Sequence, residues 1–208
     1  MSKEVLWSAV FITGGLMSWA HFSTILEPYN YHREIIGFDT FEGFPDIAKQ
    51  DGSGENARKG AFSVSYDSFS EITSCISEFD ENRFINEKRK ISLVKGDANS
   101  TIPKYLSANQ HLLVSLLYLD FDIYQPTVTA LKHLLPRISK GGIIAFDEAH
   151  NPDWPGETIA LLEQLDASLM HGLLKLPLRL ACKSVLFDPI NRLRLEVGAR
   201  AQARALVP

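Results

Sequence analysis

Residues 112–120 read Leu-Leu-Val-Ser-Leu-Leu-Tyr-Leu-Asp, an apolar run that stops on a carboxylate. A run this short fits a strand buried on both faces at the centre of a parallel sheet. The stretch Gly-Gly-Ile-Ile-Ala-Phe-Asp-Glu at 141–148 repeats the pattern, with Ile143–Phe146 as its strand. Upstream, Val5–Ile12, Glu34–Phe38 and Ile91–Val94 read as further strands. Helical spacing falls between them, over Leu16–Leu26, Tyr66–Asn82, Pro103–Asn109, Pro126–Leu135 and Gly156–Leu169, with Asp67 or Ser68 able to cap the second. Alternating strands and helices predict an α/β fold: a doubly wound, mostly parallel sheet with helices on both faces. A C-terminal antiparallel hairpin, Ser184–Phe187 with Arg192–Val197, is expected to close it around Asp188-Pro189. Residues 46–66 are polar and glycine-rich and read as a mobile surface excursion.

The 208 residues carry 21 Lys+Arg against 25 Asp+Glu, a formal net charge of −4, with 45% hydrophobic and 22% charged residues. These values suit one globular domain, placed at 1–197, with 198–208 as a frayed tail. A pI near 5.9 argues against a broad nucleic-acid footprint. No apolar stretch reaches the roughly 18 residues of a membrane span, and Met1-Ser2-Lys3-Glu4 lacks the start of a secretory signal. Two cysteines, Cys75 and Cys182, form neither a disulfide framework nor a metal motif. The expected setting is cytoplasmic, with a small-molecule substrate, no nucleic acid or membrane as partner, and room for a homo-oligomer.

In doubly wound sheets, ligands bind beyond the carboxyl ends of the strands. Four predicted strands end there in acids: Asp39, Asp97, Asp120 and the pair Asp147-Glu148. An acid in the position of Asp39 accepts hydrogen bonds from ribose hydroxyls in nucleotide-binding folds, although a loop carboxylate would look the same. Asp97, in Gly96-Asp97-Ala98, could accept from an adenine amino group or simply form a turn. Asp120, Asp147 and Glu148 become neighbours if their strands are adjacent. Three bare carboxylates repel one another unless a cation is present, and hard oxygen ligands suit Mg²⁺. The bland alternative is solvated acids paired with a base such as Arg137. His150 lies just past the acidic pair and is a candidate general base, while the other histidines lack ligand-like spacing. Trp154 and Tyr124 could wall a cyclic substrate such as a sugar, and Phe41 could serve similarly.

Two short matches are set aside. Asp147–His150 spells the helicase box D-E-A-H, but the phosphate-cradling G-x-x-x-x-G-K-[ST] loop is missing. Asp120-Phe-Asp-Ile-Tyr has the acids of a haloacid-dehalogenase nucleophile loop, with Tyr124 where Thr or Val belongs. A hydride-transferring dehydrogenase would need G-x-G-x-x-G after the first strand, and that too is absent.

Three longer segments carry a stronger likeness. Ile-Ile-Gly-Phe-Asp-Thr-Phe-Glu-Gly-Phe-Pro (35–45), Leu-Leu-Tyr-Leu-Asp-Phe-Asp-Ile-Tyr-Gln-Pro-Thr (116–127) and Gly-Gly-Ile-Ile-Ala-Phe-Asp-Glu-Ala (141–149) resemble the macrocin O-methyltransferase, or TylF-type, enzymes. Asn-Pro-Asp-Trp-Pro-Gly-Glu-Thr (151–158) is similar to a subgroup acting on nucleotide-linked deoxysugars. The resemblance implies a Rossmann-like class I methyltransferase sheet, S-adenosylmethionine as methyl donor, and Mg²⁺ orienting a sugar diol. By the same likeness, Gly14 and Gly15 follow the first strand at the donor, Asp39 holds its ribose, and Asp97 and Ala98 face its adenine. Asp120, Asp147 and Glu148 ligate the metal, with Asp120 also catalytic.

The first family motif is altered. An acid and a glycine, roughly E-C-G-V-F, are replaced here by Trp7-Ser8-Ala9-Val10-Phe11. The family's N-terminal helical segment is expected to be absent or much shortened. A second reading therefore stands beside the enzyme: a weakened or inactive relative that binds nucleotide or sugar without turnover.

Overall fold

The computed structural model describes residues 4–8, 14–164, 173–175 and 185–187. Seven strands, β1 (Glu4–Ser8), β2 (Glu34–Asp39), β3 (Ile91–Lys95), β4 (Leu113–Leu119), β5 (Ile138–Phe146), β6 (Leu173–Lys175) and β7 (Val185–Phe187), form one sheet in the order β3-β2-β1-β4-β5-β7-β6. Strands β1 to β5 are mutually parallel; β7 runs antiparallel to both β5 and β6. The expected hairpin arm Arg192–Val197 lies outside the described residues. The chain order reverses between β1 and β4, the place where open α/β sheets bind ligands.

Five helices cover the sheet: α1 (Gly14–Leu26), α2 (Ser68–Glu81), α3 (Ala98–Ala108), α4 (Tyr124–Leu134) and α5 (Pro155–Gln164). Strand side chains alternate between two cores, as a period of two requires. On one side Ile35, Ile91, Leu116 and Ala145 pack with Leu16 and Ala20 of α1 and Ile72 and Ile76 of α2. On the other, Ile36, Phe38, Leu119, Ile144 and Phe146 meet Ile102 of α3, Leu131 and Leu134 of α4, and Leu161 of α5. The double burial expected of residues 112–119 is what makes both layers possible.

Two local readings change and one holds. The α3 helix starts at Ala98, ahead of the expected Pro103, because Asp97 is its N-cap and accepts from the Asn99 N–H at 2.9 Å. Strand β5 begins at Ile138, although Gly141-Gly142 reads as a breaker. Gly141 adopts φ +79°, and the pairing slips from Val114–Ile138 to Leu116–Ile143. The glycines thus form an irregularity within the strand and do not end it. Asp67 caps α2 as expected, accepting from Ser70 N–H at 3.1 Å.

The stretch 46–66 is not a loose excursion. The Phe44 N–H donates to Ala61 O at 3.1 Å and its carbonyl accepts from Gly60 N–H at 2.8 Å, and the side chains of Phe44 and Ala61 join Ile123 in a small third core. Asp51, in a one-turn 3-10 helix Lys49–Asp51, is 1% exposed. Its Oδ2 accepts from Ala48 N–H at 2.7 Å and its Oδ1 from Tyr124 N–H at 2.5 Å. Ile123, at the N-cap of α4, has no capping side chain, so Asp51 caps that helix from 73 residues away in sequence. Gly156 makes the approach possible: a Cβ there would fall on Asp51 Oδ1 and within 2.8 Å of Tyr124 N. The polar composition conceals an anchor: Asp51 is buried, and its carboxylate accepts from two main-chain donors.

Asp51→Ala should leave the half-buried Ala48 and Tyr124 N–H groups without their acceptor and destabilise the protein by about 1–3 kcal/mol. Urea denaturation is expected to show a lower midpoint with an unchanged slope.

Candidate active site

The acids predicted at strand ends converge at the C-terminal rim. Asp39 closes β2, and its Oδ1 accepts from Phe41 N–H at 2.7 Å. The Gly96 N–H donates to Asp39 O at 2.8 Å, fastening the end of β2 beside Asp97 and Ala98 at the start of α3. Asp120 follows β4, and Asp147 follows β5 with its N–H bonded to Leu119 O at 3.0 Å. A cleft of about 40 Å³ is lined by Asp39, Asp97, Ala98 and Asp120, with Phe121 and Ile123 as apolar wall. Gly14 and Gly15 are the first residues of α1. The motif residues 9–13 before them lie outside the described residues.

Beside this cleft the acids crowd. Burial raises Asp120 to about 8, with further repulsion from Asp147, Asp122, Glu148 and Asp39. Burial and the charges of Glu148 and Asp147 raise Asp122 to about 7. Asp39 rises to about 6, mainly by burial, against the opposing bonds from Phe41 and Thr40. Arg137 does not relieve the group. Its guanidinium donates to Gln110 O (3.0 Å) and Leu112 O (3.2 Å), before β4 begins and so at the other end of that strand.

The acids are also tied down individually. Tyr118 donates its hydroxyl to Asp147 Oδ1 at 2.8 Å, and Asn151 donates its side-chain amide to Glu148 Oε2. Among the described residues, no three acids, histidines or cysteines stand ready-made as a cation cage. What fits a hard cation is the chemistry: several oxygen donors, and only repulsion and burial acting on Asp120 and Asp122.

Two acids escaped the sequence reading. Asp122 was seen only as part of a rejected motif, yet it sits at φ +61° next to Asp120. Glu157, in the first turn of α5, is fully buried and accepts from Glu148 N–H at 3.2 Å. The available signal was the Pro155-Gly156-Glu157 helix start following a loop that leaves Asp147-Glu148. Non-glycine residues with left-handed backbone cluster around this rim: Phe41 (φ +57°), Phe62 (+62°), Asp122 and His150 (+75°). Such conformations are held only where the surroundings impose them.

The substrate-wall candidates separate. Trp154 packs against Phe44 (ring centroids 5.5 Å) and Phe62 (5.9 Å), and Phe44 itself lines the cleft. The Tyr124 hydroxyl instead donates to Glu163 of α5 at 2.5 Å, on an exposed face. Phe41 stacks edge-on to Phe69 at 5.1 Å. His150 is exposed, with its N–H bonded to Thr158 Oγ1 at 2.8 Å.

A sheet of this order with an acid-edged cleft at its reversal point is a methyltransferase fold of the α/β class. The signature of the family described as macrocin O-methyltransferase (TylF) matches residues 14–158. The chain belongs to that family, whose members are S-adenosylmethionine-dependent O-methyltransferases. Solved structures agree. A calicheamicin methyltransferase, CalS11, superposes with a TM-score of 0.81 at 35% identity, covering 89% of this chain and 72% of that one. The apo form of CalS11, described as a TDP-rhamnose 3'-O-methyltransferase of calicheamicin biosynthesis, gives 0.73 at 30% identity, covering 89% and 71%. The O-methyltransferase NovP shares the fold, at 0.64 and 18% identity over 92% of this chain and 73% of that one. A search of curated proteins gives no match. No helix among the described residues is long and apolar enough to cross a membrane.

The raised acids fix a pH dependence. Asp39, Asp120 and Asp122 keep protons in the fold that the unfolded chain releases near pH 4. The metal-free protein is therefore most stable below about pH 4 as far as these groups are concerned, and loses that stability as pH rises toward 8. Differential scanning calorimetry should show Tm falling from pH 5 to pH 8.5, and Mg²⁺ raising Tm more at the upper end. A Tm that climbs over this interval in metal-free buffer would show that the acids are not held protonated.

Proposed function

We propose that this protein methylates a hydroxyl of a sugar, in particular of a nucleotide-linked deoxysugar, with Mg²⁺ held by Asp120, Asp147 and Glu148. The observation that carries the reading is that Asp120 lines the same cleft as Asp39, Asp97 and Ala98, with Asp147 and Glu148 near enough to act on its charge. The substrate class is supported by the likeness to the TDP-rhamnose enzyme. S-adenosylmethionine supplies an electrophilic sulfonium methyl, and the cation lowers the pKa of the hydroxyl it binds.

The chain's own groups set the geometry. Asp39, ionised above about pH 6, accepts from the ribose hydroxyls. Asp97 and Ala98 would face the adenine, in a cleft whose apolar lining includes Phe121 and Ile123. Trp154, braced by Phe44 and Phe62, offers a flat apolar face to a sugar ring. His150, in the loop that follows Asp147 and Glu148, is the side chain proposed to take the hydroxyl proton. Much of the rate then comes from alignment of the hydroxyl oxygen with the sulfonium methyl. The altered first motif, Trp7-Ser8-Ala9, favours the second reading, binding without turnover.

Calorimetric titration of S-adenosylmethionine, with and without Mg²⁺, separates the two when combined with product analysis. Donor binding together with release of S-adenosylhomocysteine from a TDP-deoxysugar mixture supports the enzyme; absence of heat in both conditions counts against it. Asp147→Asn should lower Mg²⁺-dependent turnover by at least about 10–100-fold and leave donor affinity unchanged. Turnover indifferent to both Mg²⁺ and this substitution would remove the three-acid assignment. Trp154→Ala is expected to raise KM for the sugar substrate with little change in donor affinity, measured by steady-state kinetics.

A further inference from the structure

Glu157 is the most deeply buried acid at the rim, with 0% of its surface exposed. Its two oxygens behave differently. Oε1 accepts the Glu148 main-chain N–H, which fixes the residue immediately after Asp147. Oε2 is buried and has no hydrogen-bond donor. Buried carboxylate oxygens are nearly always satisfied, so an orphaned one calls for a donor that the chain itself does not supply. The charges acting on Glu157 are those of Asp122, Asp120 and Asp147, which places its carboxylate among the same acids. The close seat of Gly156 against Asp51 and Tyr124 fixes the start of α5, and with it the position of Glu157.

Mg²⁺ binds few protein ligands directly and keeps several waters, each a strong donor to a nearby carboxylate. Partners of this kind, one step removed from the cation, are common around metal sites. We infer that Glu157 is an outer-sphere member of the cation site: Oε1 holds the Glu148 main chain, and Oε2 accepts from a water carried by the cation. This rests on the cation reading given above, and it adds a positioning residue that the strand-end acids do not include. It also accounts for a buried acid set among like charges.

The test is calorimetric titration of Mg²⁺ into the metal-free wild-type protein and into Glu157→Gln, Glu157→Met and Asp147→Asn, with Tm measured before metal is added. Gln keeps an acceptor for the Glu148 N–H and removes the charge; Met removes both. Glu157→Gln should weaken Mg²⁺ binding about 10–100-fold, while the metal-free Tm stays level because Gln keeps an acceptor for the Glu148 N–H. Wild-type Mg²⁺ affinity in both Glu157 variants overturns the inference and leaves the cation site standing. Loss of affinity only together with a lower metal-free Tm also overturns it, making Glu157 a purely structural acid. No Mg²⁺ uptake by the wild type removes the cation reading itself, and the outer-sphere role with it.

Discussion

Asp120, Asp122, Asp147, Glu148 and Glu157 are held together where three elements meet: the end of β4, the end of β5 and the start of α5. Their mutual repulsion is the constraint to which the surroundings respond. Carboxylates this close cannot all be ionised in a dry setting, so protons stay on some of them or a cation must enter. Ordinary packing would push such groups toward water. Here the two hydrophobic cores on either face of the sheet fix the strands that carry them, leaving the acids no freedom to separate.

The loops supply the rest of the restraint by satisfying polar groups one at a time. Tyr118 positions Asp147, Asn151 positions Glu148, and the Glu148 main chain is tied to Glu157. Asp51 reaches across from the 46–66 stretch to cap α4, directly after Asp122 and Ile123. The aromatic cluster of Phe44, Phe62 and Trp154 fastens the same stretch to the loop before α5. Elements that look independent along the chain are thus clamped around one rim. Local backbone conformations that few residues accept, at Asp122 and His150 among them, are kept by that clamp.

Much of the fold was readable because hydrophobic periodicity is a local signal. The runs ending at Asp39, Asp120 and Asp147 are strands, their order along the chain is that of an α/β sheet, and Asp67 caps the helix it precedes. Boundaries went astray where one residue type serves two purposes. Gly141-Gly142 breaks most strands but here lets β5 continue through an irregularity, and Pro103 often opens a helix but here lies inside one. That Asp39, Asp97 and Asp120 come to one rim was legible because strand ends point the same way in a parallel sheet.

The sequence by itself determined that carboxylates would collect at the carboxyl edge of a parallel sheet, because a strand's direction fixes the edge at which its last residue lies. It also held the family likeness, in motifs whose order and spacing are local facts. Only the tertiary structure decided which acids are buried together, that Asp51 caps a helix remote in sequence, and that Glu157 joins the rim with one oxygen unsatisfied. Those outcomes depend on contacts between distant segments and on the loss of water around each group. Neither is written in the identity of the residue or of its neighbours along the chain.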